Sequence, residues 1–229
     1  MAAFFAAREL GADGVEFDVH LTSDGIPVVL HDYDLARTTS SSGYVFETTV
    51  DCVRSLDAGS WFHPRFAGER VPLLEEVLAM EDIDFELEVK GVPSQRLVEA
   101  IVGEVRNAGV EDRLELTGSH FVVMQRLRRE LAEVQLGLFP QTFTNWMTMH
   151  LYEEIVIETA RTGNYNVVHV PSSILVLLER DRFVEADLRL HAADPASREE
   201  MTIALDKADQ FTTGDVAEAV QRRRDVQGT

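Results

Sequence analysis

From residue 85 onward the chain alternates short apolar runs with longer amphipathic ones, and this alternation restricts the fold more than any other feature. Strands are expected near 85–90, 113–118, 134–139, 165–170, 187–191 and 209–213, and helices at 94–108, 120–132, 149–161, 172–184, 197–206 and 215–224. A strand, an amphipathic helix and a further strand imply parallel pairing through right-handed crossovers, hence an α/β fold. Ahead of this series stand a helix over 2–10, a strand over 14–21, a return run over 27–31 and a helix over 73–80 opened by Pro72. Seven barrel-type strands result, one fewer than a (β/α)8 barrel needs, and the chain opens with a helix where a first strand would precede it.

The strand at 14–21 has an unusual polar face. Val15, Phe17, Val19 and Leu21 point one way and Glu16, Asp18 and His20 the other. After a turn at Asp24-Gly25 the chain returns through Ile26-Pro27-Val28-Val29-Leu30 to His31-Asp32. Two carboxylates on one strand face with a histidine returning beside them suit a site that holds a cation and moves a proton. The same pattern also describes a strand edge facing water. Phe85-Glu86-Leu87-Glu88-Val89-Lys90 repeats the alternation, with Glu86, Glu88 and Lys90 on one face, either as part of such a site or as an internal ion pair. Residues 32–72 are loop-rich, a length that in a compact domain usually carries function, such as a cap over a site.

Charge and cysteine content narrow the partners. A formal charge of −19 over 229 residues disfavours nucleic acid and anionic membranes as main partners. An acidic protein acting on a phosphate needs a local positive centre, although the same excess also suits a merely soluble or salt-adapted protein. The single cysteine, Cys52, excludes an intrachain disulfide and a cysteine-built metal site. No run reaches the ~18 apolar residues of a membrane span, and the N-terminus lacks a signal-peptide layout, so a cytoplasmic location is expected.

The residues carry a resemblance. Glu16-Phe17-Asp18-Val19-His20-Leu21-Thr22-x-Asp24-Gly25-x-Pro27-Val28-Val29-x-His31-Asp32 resembles the core motif of the glycerophosphodiester phosphodiesterase family. Arg37-Thr38-Thr39, Leu56-Asp57-Ala58-Gly59-Ser60-Trp61-Phe62, Phe66-Ala67-Gly68-Glu69-Arg70-Val71-Pro72 and Glu86-Leu87-Glu88-Val89-Lys90 resemble its later segments, and the match thins after residue 91. The resemblance implies a TIM barrel of one domain over 1–229 with a small insertion at 32–72 after the Glu-x-Asp strand. It implies a divalent cation, calcium or magnesium, held by Glu16, Asp18 and Glu88. It implies His31 as a catalytic acid or base, Lys90 as catalytic and phosphate-pairing, and Asp32 in substrate binding. The implied reaction splits a glycerophosphodiester, such as a deacylated phospholipid, into glycerol 3-phosphate and an alcohol.

The departures from the family pattern shape further expectations. The family opens with a strand ending His-Arg-Gly and a Pro-Glu-Asn-Thr turn, and Met1-Ala2-Ala3-Phe4 resembles the start of the helix after that turn. A strand, one catalytic histidine, an arginine and a metal-side glutamate therefore have no counterpart here, which implies impaired turnover and an open barrel edge that would pair with a second copy. The family's Trp-Thr-Val-Asn stands as Ala193-Asp194-Pro195-Ala196, and its Thr-Asp as Thr213-Gly214. Alternative readings are a degenerate barrel that binds a cation and phosphoesters without turnover, and a lyase or phospholipase-D-like use of the same barrel. For single residues, His20 is expected to pack behind the site, His120 to start a helix and His169 to be a satisfied core histidine. Trp61 and Phe62 are expected to pack the insertion down.

Overall fold

The computed structural model describes residues 1–228. Its elements run in the order α1 (Ala2–Leu10), β1 (Gly14–Leu21), β2 (Pro27–Val29), α2 (Val50–Ser55), α3 (Leu74–Leu78), β3 (Asp84–Val89), α4 (Gln95–Ala108), β4 (Leu114–Thr117) and α5 (Phe121–Glu130). The chain continues through β5 (Gln135–Leu138), α6 (Met149–Gly163), β6 (Val167–Pro171), α7 (Ser172–Leu175), α8 (Arg180–Glu185), β7 (Arg189–Ala193), α9 (Arg198–Lys207), β8 (Gln210–Thr212) and α10 (Val216–Gln227). Contacts divide it into two compact units, Met1–Glu9 with Asp13–Val134, and Leu10–Ala12 with the chain from Gln135 onward. No helix among the described residues is long and apolar enough to cross a membrane.

In the first unit the strands run β2, β1, β3, β4, with β2 antiparallel to β1 and the others parallel. The apolar alternation of β1 and β3 buries Val15, Phe17 and Val19 beside Phe85, Leu87 and Val89. Phe17 and Phe85 meet edge to face at 6.1 Å, and the Arg113 guanidinium covers Phe85 at 4.8 Å. The hairpin between β1 and β2 is built by turn chemistry. Thr22 Oγ1 donates to Asp24 Oδ1 (2.7 Å) and accepts from the Ile26 amide (2.9 Å). Gly25 takes a left-handed φ of +89°, and a Cβ there would lie 2.3 Å from the Arg96 guanidinium. Asp24 Oδ1 also accepts from the Val50 amide at the start of α2 (2.9 Å), which ties the hairpin to the next segment.

Residues 32–72 contain α2 and two single-turn 3-10 helices. Val28, Leu30, Leu35, Val45, Val53 and Val71 form a buried cluster under this stretch. The Asp57 carboxylate collects the amides of Gly59 (2.9 Å), Ser60 (2.8 Å) and Gly68 (2.9 Å), which holds its carboxyl far below the usual range. Trp61 and Phe62 depart from expectation: they are 52% and 67% exposed. The turn is closed by these backbone bonds instead, while Trp61 donates to the Ala58 carbonyl (2.9 Å) and meets the Phe62 ring edge to face at 5.8 Å.

In the second unit β5, β6, β7 and β8 are all parallel. His169 is buried as expected, its ring stacked on His191 at 4.0 Å and edge-on to Phe139 at 5.1 Å. The helix expected over 172–184 is instead two short helices, α7 and α8. The break has a tertiary cause: the Glu179 amide donates to Glu153 Oε1 (2.6 Å) on α6 rather than to a helical carbonyl. Glu153 is 1% exposed, and its other oxygen pairs with Arg182 (2.6 Å). Removing one partner of such a pair strands a buried charge. Arg182→Ala is therefore expected to cost about 3 kcal/mol in chemical denaturation, whereas a loss under about 0.5 kcal/mol would show the pair to behave as a surface contact.

Candidate active site

Residues paired across neighbouring strands face the same side. The register of β1, β3 and β4 therefore sets Asp18, Glu88 and Thr117 in one layer, and Glu16, Glu86 and Glu115 in the layer nearer the strands' N-terminal ends. Glu16, Asp18 and Glu88 each offer an oxygen within 4.8 Å of the others. Lys90, one residue past β3, sets its Nζ 3.2 Å from Asp18 Oδ1 and 3.2 Å from Glu88 Oε1. Burial presses its pKa down, but those two carboxylates outweigh the penalty and leave the ammonium above its usual value.

The hairpin delivers the histidine. The Leu30 amide donates to the Asp18 carbonyl (3.0 Å), which carries the pairing one step past β2 and brings His31 to the strand end. His31 Nε2 lies 3.4 Å from Lys90 Nζ, and its Nδ1 lies 2.6 Å from Asp32 Oδ1. Arg37 donates to both Asp32 oxygens, Nη2 at 2.9 Å from Oδ1 and Nε to Oδ2. Arg37 first and His31 second hold the Asp32 carboxyl well below the ordinary range, so it stays ionised. Since the Asp32 carboxylate can only accept, His31 Nδ1 carries the proton and Nε2 is left facing Lys90. Both Asp32 oxygens are thus engaged within the protein, and Asp32 orients His31.

His20 and Tyr33 support this arrangement from behind. His20 is 2% exposed, donates from Nε2 to the His31 carbonyl (3.1 Å) and meets the Tyr33 ring edge to face at 4.7 Å. Burial lowers its pKa, which keeps it neutral. The Tyr33 hydroxyl donates to the Lys90 carbonyl, so one aromatic side chain links the two strand ends. Tyr33 carries no signal in the sequence pattern, whereas Thr117 shares the polar face of the alternating run Leu114-Glu115-Leu116-Thr117 with Glu115. His120 is the N-cap residue of α5.

Comparison with known proteins identifies the family and the fold. The profile of the Glycerophosphoryl diester phosphodiesterase family matches residues 1–170. The chain belongs to this family. It is 36% identical over 146 residues to a glycerophosphodiester phosphodiesterase of Caldanaerobacter subterraneus subsp. tengcongensis, covering 62% of this chain and 60% of that protein. It is 46% identical over 107 residues to a putative glycerophosphodiester phosphodiesterase, YhdW, of Bacillus subtilis, covering 46% and 44%. The matches thus span less than two thirds of those relatives' length. Among solved structures, a putative glycerophosphoryl diester phosphodiesterase of Agrobacterium tumefaciens superposes with a TM-score of 0.79 at 21% identity, over 97% of this chain and 91% of the other. A phosphodiesterase of Oleispira antarctica, in complex with sn-glycerol-3-phosphate, gives 0.77 at 21% identity, over 98% and 89%. These likenesses show the fold, a TIM (β/α)8-type barrel, to which the described residues bring three mutually parallel strands in the first unit and four in the second.

The donor set of this family member fits a divalent cation. Glu16 is raised to about 8 by burial, then by the charges of Asp18 and Glu88, with only Lys90 opposing. A cluster of hard oxygen donors that repel one another so strongly is short of positive charge, which is what a divalent ion supplies. The same titration sets the sign of the pH effect in the cation-free protein. The folded state keeps the Glu16 proton up to about 8, whereas the unfolded chain releases it near 4.5. Folding thus binds a proton in this window, and stability falls as pH rises through it. With a chelator present, Tm is expected to decline between pH 5 and 8.5, and Glu16→Gln should flatten the decline. An unchanged slope in that variant would place the titration elsewhere.

Proposed function

We propose that this chain hydrolyses glycerophosphodiesters to glycerol 3-phosphate and an alcohol, with calcium or magnesium held by Glu16, Asp18 and Glu88. The observation that carries the reading is the convergence of three carboxylates and one ammonium from two paired strands with one oriented imidazole from the hairpin return. Held by those three carboxylates, a divalent cation would supply positive charge to neutralise the phosphoryl group and polarise its phosphorus–oxygen bonds. Lys90 pairs with a phosphoryl oxygen and strengthens that attraction as charge builds in the transition state. His31, its Nδ1 held by Asp32, presents Nε2 beside Lys90 to pass a proton to or from the reacting oxygen. Water adds to phosphorus, the ester bond breaks, and the alcohol leaves with a proton. Asp32 acts on the substrate through His31, as its hydrogen bonds within the protein require.

The stretch 32–72 serves as a cap in this reading, since Asp32, Tyr33 and Arg37 all reach from it to the site. The neighbouring structure from Oleispira antarctica holds sn-glycerol-3-phosphate, the product expected here.

Two measurements test the proposal. Calcium or magnesium should raise Tm of the chain, and Asp18→Asn or Glu88→Gln should abolish the effect; a full response in both variants would show the ion to bind elsewhere. In an assay with glycerophosphocholine, His31→Ala should lower kcat by about 10²–10⁴-fold, the usual worth of a proton-transfer group. A cyclic phosphate as end product would identify a lyase instead, and metal and phosphoester binding without product would identify a binding protein.

A further inference from the structure

The Asp18–Glu88 layer ends in a residue that the proposed chemistry leaves unused. Thr117, the last residue of β4, is 0% exposed, and its Oγ1 has no hydrogen-bond partner among the described residues. It is paired in register with Glu88 and shares its face. The next residue fixes that placement: Gly118 has a φ of +159°, and a Cβ there would come within 3.0 Å of the Val89 carbonyl oxygen, so the ends of β3 and β4 are pressed together.

A hydroxyl in this position is costly to the free protein. A buried donor without an acceptor gives up its water and gains nothing in return, whereas valine would fill the same volume without that loss. Asp18 and Glu88, its layer neighbours, are acceptors, but neither is hydrogen-bonded to it among the described residues. A hydroxyl that makes no internal bond, and lies one strand from the carboxylate cluster, is suited to a ligand that brings its own oxygen.

We propose that Thr117 is a further substrate-binding residue, its hydroxyl donating to an oxygen of the bound phosphoester. This rests on the reading of the site as one for glycerophosphodiesters. The test titrates glycerol 3-phosphate and, separately, inorganic phosphate into the magnesium-supplemented chain, its Thr117→Val variant and its Thr117→Ser variant, and records Tm for each.

Thr117→Val is expected to weaken glycerol 3-phosphate binding by about tenfold, the scale of one hydrogen bond to a charged oxygen. Its Tm should equal or exceed that of the parent, and Thr117→Ser should recover the affinity. Weakening towards both ligands assigns the contact to a phosphoryl oxygen. Weakening towards glycerol 3-phosphate alone assigns it to the glycerol end, and either result supports the proposal. Parent-like affinity in Thr117→Val overturns it, whatever the change in Tm. If Thr117→Val does not fold, Thr117→Ala reads the same contact by the same titrations. A parent chain that binds neither ligand overturns the glycerophosphodiester reading and the role of Thr117 together, whereas a parent that binds, matched by the valine variant, overturns only the latter.

Discussion

The parallel register of β1 and β3 sets like charges opposite one another, Glu16 on Glu86 and Asp18 on Glu88, an arrangement that ordinary strand pairing avoids. The repulsion is tolerated because the opposite face of the same strands buries Val15, Phe17, Val19, Phe85, Leu87 and Val89. A shift of one residue in either strand would turn those side chains to the wrong face, so burial holds the carboxylates together against their own field. Lys90 answers part of that field, and the protonation of Glu16 up to about pH 8 answers more of it. The rest of the site is arranged around this unbalanced charge.

The elements flanking the cluster share one task, which is to limit how its members can move. The Thr22–Asp24–Gly25 turn sets the length of the hairpin, and the Leu30–Asp18 backbone bond sets where His31 emerges. Arg37 and Asp32 then fix the imidazole's orientation and tautomer, while Tyr33 joins the Lys90 backbone to His20. Each contact comes from the turn, the return strand or the stretch after it, which explains why a motif spread over residues 16–37 acts as one unit. Electrostatic strain in the cluster and order around it are two sides of the same design: a strongly charged ligand finds its partners already placed.

Much of this was legible from residue order. The alternation at Glu16, Asp18 and His20 marked a polar face, and the same period in Glu86, Glu88 and Lys90 marked its neighbour. The family resemblance over residues 1–91 agrees with the family to which the chain belongs. The features that stayed hidden depended on contacts between distant segments. The break between α7 and α8 comes from Glu153 on another helix, and the exposure of Trp61 and Phe62 comes from a turn closed by backbone bonds. No local pattern encodes either.

The sequence by itself determined the alternation of strands and helices, the turn at Asp24-Gly25 and which residues share a strand face, because these come from periodicities of two and 3.6 and from glycine's freedom at positive φ. Only the tertiary structure decided which strand faces meet. Register between strands far apart in sequence set Glu88 beside Asp18 and left Thr117 buried beside Glu88. Those outcomes depend on distances between side chains that chain order does not contain, and the chemistry of the site depends on them.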